Sequence, residues 1–336
     1  MKKILLLLVV TLCVVACENQ ERDFPDFIYT TGFFPYQFPV RTIILGDYIY
    51  DNTNDNNHLF LISAAMGGVY KNTKDRVFNI AINEQLCNNV LFMSTNDTIR
   101  MMPQNYYELE ENQITIPKGK HNGGVKVHLT DDFFNDVNSI KNTYVIPVQL
   151  IGSNDVDTIL SGKTAVANAD PRFASQWEIA PKNFTMFAVK YINEYHGNYF
   201  YYGKSFVKNS IGTIIENNTY EEKYVERNPL VFLQTTGRYQ VEMSAKLNSN
   251  FLSDDVVLVL NFTGEKCTIS SKPGVTYTIT GEGEFKQKQF IWGNKLRDGI
   301  VIHYEVFDGT HTYIGDDTMV LRDKGIVLET FEPLAY

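Results

Sequence analysis

The chain has 336 residues, of which 44% are hydrophobic and 21% charged, an ordinary globular composition that excludes general disorder. Aromatic residues reach 13%, and because rings pack well on a pleated sheet, this content favours strands. The formal net charge is −9, which argues against nucleic acid as a partner, because binding phosphates needs clustered Lys and Arg side chains.

The first residues are typical of a signal peptide. Two lysines precede an apolar run over 4–15 that is too short to cross a hydrocarbon core of about 30 Å as a helix. Ala16 followed by Cys17 resembles the lipobox of bacterial lipoproteins, in which cleavage leaves Cys17 as the lipidated N-terminus. The alternative is an ordinary signal peptide that happens to contain a cysteine. We predict a lipoprotein signal peptide over 1–16 and lipid on Cys17.

Residues 17–23 form a polar, acidic tether. It resembles the acidic stretches that Bacteroidetes lipoproteins carry after the lipidated cysteine when they are displayed on the outer surface. Several acyl chains on one cysteine anchor a protein stably, whereas a single chain does not. We therefore expect a protein anchored in the outer membrane through Cys17 and facing the extracellular side.

The body of the chain reads as mainly β. Apolar residues alternate with period two over 125–129, 144–150 and 300–307, and turn signals recur about every 8–12 residues. Asp308-Gly309 predicts a two-residue type I′ hairpin turn. One short helix is expected after Thr130, with Phe133, Phe134 and Val137 on one face. The pattern predicts sandwiches or barrels rather than βαβ units.

A boundary between two domains is expected near residues 165–174. Residues 168–172 lack periodicity, and Pro171 disfavours a helix before it. We assign 24–167 to the first domain and 171–336 to the second, each large enough to bury a core of its own.

Several stretches resemble known modules: 39–46, 66–70, 102–107, 116–119 and 142–147 in the first half, then 177–182, 189–193, 196–197 and 317–323 in the second. Those of the first half resemble an N-terminal β-sandwich module of Bacteroidetes surface lipoproteins, which also precedes the catalytic barrel of some endo-β-N-acetylglucosaminidases. Those of the second half resemble the lipocalin-like (calycin) domain that accompanies it. The resemblance implies an immunoglobulin-like β-sandwich followed by a lipocalin-like β-barrel, in proteins mostly described as uncharacterised, glycan-binding or adhesion proteins.

Glycan binding needs aromatic faces for the apolar side of a sugar ring. In the segment 197–203, Tyr199 and Tyr201 share one face of a strand, and Phe200 and Tyr202 share the other. The alternative is that these rings close and fill the barrel. The candidate glycan platforms are Trp177, Tyr199, Tyr201, Tyr202 and Trp292.

No catalytic motif stands out, so we expect no enzyme activity, no cofactor and no metal. The spaced acidic motif of family 18 glycosidases, GxSxG, HExxH and the P-loop are all missing. The stretch 51–57 resembles a calcium loop, but Asn56 replaces the required Gly and Ile62 the bidentate Glu. We predict a solvated Asx-rich turn there instead.

These observations lead to one main hypothesis, a non-catalytic surface lipoprotein that binds oligosaccharides or polysaccharides within a polysaccharide-utilisation system, beside other surface proteins of that system. Two alternatives remain open. One is an adhesion or assembly protein that contacts other proteins, which an exposed apolar patch without a groove would favour. The other is a carrier of a small apolar ligand, which a closed apolar cavity inside the barrel would favour.

Overall fold

The structure is a computed structural model that describes residues 26–245, 247, 249–252 and 255–336. The predicted signal peptide over 1–16, the lipidated Cys17 and the tether over 17–23 lie outside the described residues. Within the described ranges, no helix combines the length and apolar character needed to span a bilayer.

The described residues form mainly strands with a few short helices. Two α-helices, α1 (Thr53–Asn56) and α2 (Asp131–Asn135), occur beside 3₁₀ turns at Glu84–Cys87, Gln104–Tyr106, Val137–Ile140, Ala174–Gln176 and Val225–Arg227. The strands are β1 (Thr31–Phe33), β2 (Pro39–Ile44), β3 (Leu59–Gly67), β4 (Arg76–Ile82), β5 (Val90–Phe92), β6 (Arg100–Met101), β7 (Tyr107–Leu109), β8 (Gln113–Ile116), β9 (Asn122–Leu129), β10 (Tyr144–Gly152), β11 (Thr158–Ile159), β12 (Phe184–Ile192), β13 (Gly197–Lys208), β14 (Ile214–Tyr220), β15 (Leu230–Gly237), β16 (Gln240–Ala245), β17 (Val256–Thr263), β18 (Lys266–Ser271), β19 (Thr278–Trp292), β20 (Lys295–Phe307), β21 (Thr312–Asp323), β22 (Glu329–Thr330) and β23 (Pro333–Ala335).

The first structural unit is a sandwich of two sheets. One sheet has the order β11-β1-β3-β9-β7, and the other β22-β2-β12-β10-β4-β8 with β6 beside β10. Alternate residues of both sheets, such as Ile62, Val127 and Phe78, point into one shared core, as the period of two requires. A sandwich at this position is what the sequence predicts, while its immunoglobulin-like topology stays a prediction.

The larger sheet of the sandwich is covered on both faces. Val145 of β10 and Met186 of β12 belong to a second buried cluster on the far side of this sheet, together with Phe331 from the end of the chain. This explains why β10 and β12 are apolar at nearly every position rather than at every second one.

The second unit is a closed antiparallel barrel of eight strands, β13 and β15 to β21, each hydrogen-bonded to its neighbours in that order. The barrel closes because β13 pairs with β15 near its start and with β21 along most of its length. β14 extends the wall beside the far half of β13. Eight strands enclose a space that side chains just fill, and large residues such as Tyr199, Phe262 and Tyr304 lie in this interior. The mainly β architecture and the C-terminal barrel are therefore confirmed.

The boundary between the units differs from the predicted one. β12, which the prediction assigned to the second domain, pairs with β10 and β2 of the sandwich. β22 also returns to the sandwich, where it pairs with β2. The barrel is thus inserted between two strands of the sandwich, and the change of unit occurs at Asn193 rather than at 168–170. An apolar strand carries no local signal for which sheet it joins.

Two local predictions are partly corrected. β20 and β21 form the predicted hairpin, but the loop spans Asp308 to His311 and only Gly309 has a positive φ, of 97°. The carboxylate of Asp308 accepts hydrogen bonds from the backbone N–H groups of Thr310 and His311, and this stabilises the longer loop. The predicted helix forms as α2, but it ends before Val137, which is exposed.

Candidate ligand-binding cleft

A cleft of about 570 Å³ opens where the sandwich meets the barrel. The sandwich contributes the loop after β2, and the barrel contributes the β19–β20 hairpin, the end of β21 and the segment that follows it. Its size lies within the range of small-molecule sites. The lining residues are Asp47, Tyr48, Ile49, Tyr50, Lys288, Leu296, Arg297, Asp298, Leu321, Arg322, Asp323, Lys324, Gly325, Ile326 and Val327.

The Asx-rich stretch 51–57 follows the cleft loop 47–50 and connects it to β2. Asp55, in α1, is buried, and its carboxylate accepts hydrogen bonds from the Arg41 guanidinium and from the backbone N–H of Ile44. Burial raises the pKa of Asp55, while these two partners oppose that rise. The prediction of a fully solvated turn is thus wrong at Asp55, which joins this turn to β2.

Two asparagines of the same stretch fix the turn at Gly46. The amide of Asn52 donates to the carbonyl oxygens of Ile44 and Gly46, and the Asn56 side-chain oxygen accepts from the Gly46 backbone N–H at 2.9 Å. Gly46 has a φ of 77°, and a Cβ there would lie 2.4 Å from the Cβ of Glu194 in the barrel unit. The two units therefore approach closely at Gly46. The hydrogen bonds with Asn52 and Asn56 fix the backbone at the position where the loop 47–50 begins.

Two tyrosine rings form the sandwich side of the cleft. Tyr48 and Tyr50 meet edge to face with ring centroids 5.8 Å apart. Burial raises the pKa of Tyr48, and the charges of Tyr50 and Asp323 add to that rise. Tyr50 is 71% exposed, so much of its ring is available to a ligand. An exposed ring beside polar groups is the arrangement that a sugar face needs.

The β19–β20 hairpin forms part of the barrel side. Gly293 and Asn294 both have positive φ, and they join Trp292 to Lys295 in the tight turn that such backbone angles permit. The Trp292 Nε1 donates to the backbone oxygen of Leu321 at 2.9 Å, and the indole packs edge to face against Phe200. Trp292 is therefore held in one orientation.

Arg297 lies over the Trp292 ring, with 4.3 Å between the guanidinium carbon and the ring centroid. Its Nε is buried, and among the described residues this atom has no hydrogen-bond partner. Trp292 does not line the cleft itself but orients Arg297, which does. The stack presents a planar cation to the cleft at a fixed angle.

The other charged groups of the cleft are largely paired. Lys288 Nζ lies 2.5 Å from Asp47 Oδ2. Asp323 forms an ion pair with Arg322 and accepts a hydrogen bond from the backbone N–H of Gly325. Lys324 is only 3% exposed and donates to the backbone oxygen of Glu194. Burial lowers the pKa of Lys324 to about 8, although the charges of Asp298, Glu194 and Asp47 act to raise it.

Trp177 and Trp292, the two tryptophans predicted as glycan platforms, lie at different sites. Trp177 lines a separate cavity of about 190 Å³ on the sandwich, beside Asn83, Gln149 and Pro181. Its Nε1 donates to the backbone oxygen of Asp170 at 2.8 Å, so the indole is tied to its own segment. The structure therefore does not bring Trp177 and Trp292 together.

Tyr199 and Tyr201 point into the barrel and offer no ring face at the surface. Tyr199 is 0% exposed and Tyr201 is 2% exposed. This follows from strand alternation, which sends Tyr202 to the outer side, where it is half-buried. The barrel-filling alternative describes Tyr199 and Tyr201, and of the three tyrosines in this segment only Tyr202 keeps an accessible ring.

The Tyr201 hydroxyl belongs to a polar cluster inside the barrel. It donates to Asp317 Oδ2 at 2.6 Å, the Tyr304 hydroxyl donates to the same oxygen at 2.8 Å, and Tyr220 donates to Oδ1. Burial raises the pKa of Asp317 to about 6, while the three hydroxyls oppose that rise.

Within the part of the chain that the structure describes, no group of three or more His, Cys, Asp or Glu residues is placed to hold a metal ion.

The sequence predictions missed Tyr48, Tyr50, Arg297 and Lys324. These residues are far apart in the chain, and only the insertion of the barrel brings them to one cleft. One local signal was available, since Tyr48 and Tyr50 lie within three residues of the turn residues Gly46-Asp47. Aromatic side chains in a loop that has no core to fill favour a binding surface.

Comparisons with known families agree with the two structural units. A family model described as an N-terminal domain matches residues 24–157, and a domain of unknown function, DUF5627, matches residues 194–325. The second match contains every barrel strand from β13 to β21. A comparison with curated proteins finds no match.

A solved structure from Bacteroides shows the same architecture. This Bacteroides ovatus protein of unknown function is 34% identical, covering 93% of this chain and 100% of its own, with a TM-score of 0.86. A second Bacteroides ovatus protein of unknown function is 13% identical over 90% of this chain and 99% of its own, with a TM-score of 0.42. An auxiliary nutrient binding protein from Bacteroides thetaiotaomicron is 13% identical over 84% of this chain and 90% of its own, also with a TM-score of 0.42.

Proposed function

The chain belongs to the family of the Bacteroides ovatus protein with which it shares 34% identity, and we propose that it is a non-catalytic lipoprotein that binds glycans in the cleft between sandwich and barrel. In this proposal, lipid on Cys17 anchors the protein in the outer membrane, on the extracellular side. The cleft captures oligosaccharides for a polysaccharide-utilisation system and its other surface proteins.

The cleft itself is the observation that supports this proposal. It joins an exposed ring at Tyr50 to a set of charged side chains within one cavity of about 570 Å³. A sugar has an apolar face that can pack on the ring and hydroxyls that can hydrogen-bond to the polar groups, so one ligand can contact both parts of the cleft. Glycan affinity at one such site is expected in the µM to mM range, about −8 to −4 kcal/mol, and multivalent binding at the cell surface would strengthen it.

The carrier alternative has less support, because large side chains such as Tyr199, Tyr304 and Phe262 occupy the described interior of the barrel. The adhesion alternative keeps a specific observation in its favour. Val327, Leu328 and Ile291 are exposed apolar residues at or beside the rim of the cleft. Contact with a protein partner at this rim is the second candidate function.

A glycan array with the chain expressed from residue 24 tests the proposal. Tyr50→Ala removes the exposed ring, and we expect at least tenfold weaker binding of any glycan that the unmodified chain retains. Tyr70→Ala is the matched control, since Tyr70 is 78% exposed and lies outside the cleft. Trp292→Ala should weaken binding as well, through the displacement of Arg297, whereas Trp177→Ala should not.

A parallel assay for released sugar tests the expectation of no catalysis. Binding without release supports the proposal. Release of sugar would contradict the non-catalytic part. The absence of binding to host and plant glycans would favour the protein-partner candidate, which a pull-down with the unmodified chain and a Leu328→Asp variant then tests.

A further inference from the structure

The hydrogen-bonding capacity of the cleft is unbalanced. Its three carboxylates already accept hydrogen bonds or ion pairs from the protein: Asp47 from Lys288, Asp298 from the backbone N–H of Lys288, and Asp323 from Arg322 and Gly325. Each of the three carboxylates therefore already has a partner within the protein.

The donors of the cleft are not in use to the same extent. Among the described residues, the Arg297 guanidinium makes no hydrogen bond and no ion pair, although its Nε is buried and its plane is fixed over Trp292. Lys324 Nζ has three N–H donors and uses one of them on Glu194. A ligand that supplies acceptors can therefore pair with the open N–H groups of these two side chains, which line the cleft.

The charge of the cleft also differs from that of the whole chain. Four cationic side chains and three anionic ones line the cleft, whereas the chain carries a net charge of −9. Since the anionic groups are already paired, an anionic ligand meets a guanidinium with open donors. A planar guanidinium pairs with a carboxylate through two parallel N–H···O bonds, which a spherical charge does not do.

We propose that the glycan bound in this cleft carries a carboxylate, as a uronic acid does, and that Arg297 binds this carboxylate with Lys324 in support. This inference rests on the proposed glycan-binding function and narrows its ligand class. In this arrangement, Tyr50 contacts the apolar face of a sugar ring while Arg297 pairs with the charged group. Trp292 is a positioning residue, since it contacts the guanidinium rather than the ligand.

Isothermal titration calorimetry with four probes of equal length tests this inference. The probes are a galacturonic acid trimer, a glucuronic acid trimer, a neutral galactose trimer and a sulfated galactose trimer. We expect at least one uronic acid trimer to bind at least tenfold more tightly than the neutral and sulfated probes. Arg297→Gln should remove that preference, and Arg297→Lys should restore part of it, because Lys keeps the charge but not the planar fork.

Arg100→Gln is the matched control, since Arg100 is exposed and lies outside the cleft, and it should bind as the unmodified chain does. If Arg297→Gln does not fold, the salt dependence of the unmodified chain decides instead. Added salt should weaken uronic acid binding and leave neutral binding unchanged.

The outcomes separate the two proposals. Equal affinity for neutral and uronic acid trimers, unaffected by Arg297→Gln, overturns the carboxylate assignment while glycan binding stands. Tighter binding of the sulfated probe likewise overturns the carboxylate in favour of a sulfate group. If no probe binds and the glycan array is also empty, the proposed function fails and this inference fails with it.

Discussion

Asp317 is a carboxylic acid inside the barrel, where three tyrosine hydroxyls donate to it. Burial raises its pKa from 3.8 to about 6, so the folded protein holds this proton more tightly than the unfolded chain does. The free energy that Asp317 contributes to folding is therefore highest below pH 4. It is lost as the pH rises from about 4 through about 6.

Asp317→Asn should change the pH dependence of stability. The unmodified chain should lose about 2 kcal/mol of unfolding free energy through Asp317 as the pH rises from about 4.5 to about 7. The variant cannot ionise at this position, so it should not show this loss. Urea titrations at the two pH values measure this difference. Asp255→Asn, at an exposed position of the barrel unit, serves as the control and should follow the unmodified chain. Parallel pH profiles for Asp317→Asn and the unmodified chain would refute the expectation.

At the scale of one element, Gly46 determines how closely the loop after β2 approaches the barrel. Gly46→Ala places a Cβ 2.4 Å from the Glu194 Cβ, at a φ of 77°, so both the contact and the backbone conformation become unfavourable. Gly119 has a similar φ of 80°, but a Cβ at this position would have nothing within 4 Å, which makes it a matched control.

We expect Gly119→Ala to cost about 1 kcal/mol, the penalty of a left-handed conformation alone, and Gly46→Ala about 3 kcal/mol, because a steric penalty is added. Equilibrium unfolding in urea gives both values. Equal losses in the free energy of unfolding at the two positions would contradict this expectation, because they would mean that the contact with Glu194 adds no penalty.

The elements show how far the sequence alone could predict the fold. The alternation over 300–307 and the turn residues Asp308-Gly309 were enough for a hairpin, because both signals are local. The placement of β12 could not be predicted, because an apolar strand fits either a sandwich or a barrel until its neighbours are known. The closure of the barrel depends in the same way on the distant pairing of β13 with β21.

The candidate site was harder to predict than the fold. The aromatic segment 197–203 is conspicuous in the sequence, but strand alternation buries Tyr199 and Tyr201. The cleft instead combines Tyr50 with Arg297, which no local pattern connects. Sequence reasoning pointed to aromatic residues and missed which of them reach the surface together.

At the scale of the whole molecule, the C-terminal segment ties the chain back to the sandwich. Phe331 is buried between Phe38 and Phe92, with ring centroids 5.5 and 5.0 Å away. Phe331→Ala removes this ring from a cluster that covers the larger sheet, and we expect a loss of about 3–5 kcal/mol in the free energy of unfolding.

Differential scanning calorimetry measures the effect of Phe331→Ala, and Leu328→Ala is the control because Leu328 is 91% exposed. The control should leave the melting temperature nearly unchanged. A melting temperature for Phe331→Ala equal to that of the control would show that the segment contributes little to the sandwich.

The insertion of the barrel also bears on how this architecture can evolve. The chain leaves the sandwich after β12 and returns at β22, and only β2 lies between these strands, which separates them by about 10 Å. Glu329 at the start of β22 is level with Ala188, about 13 Å along β12 from its end at Ile192, so the two junctions are roughly 15 Å apart. A domain whose ends lie that close together can be exchanged for another without cutting the host sheet. Recombination at these junctions would give the same sandwich a different partner domain, and with it a cleft of different chemistry.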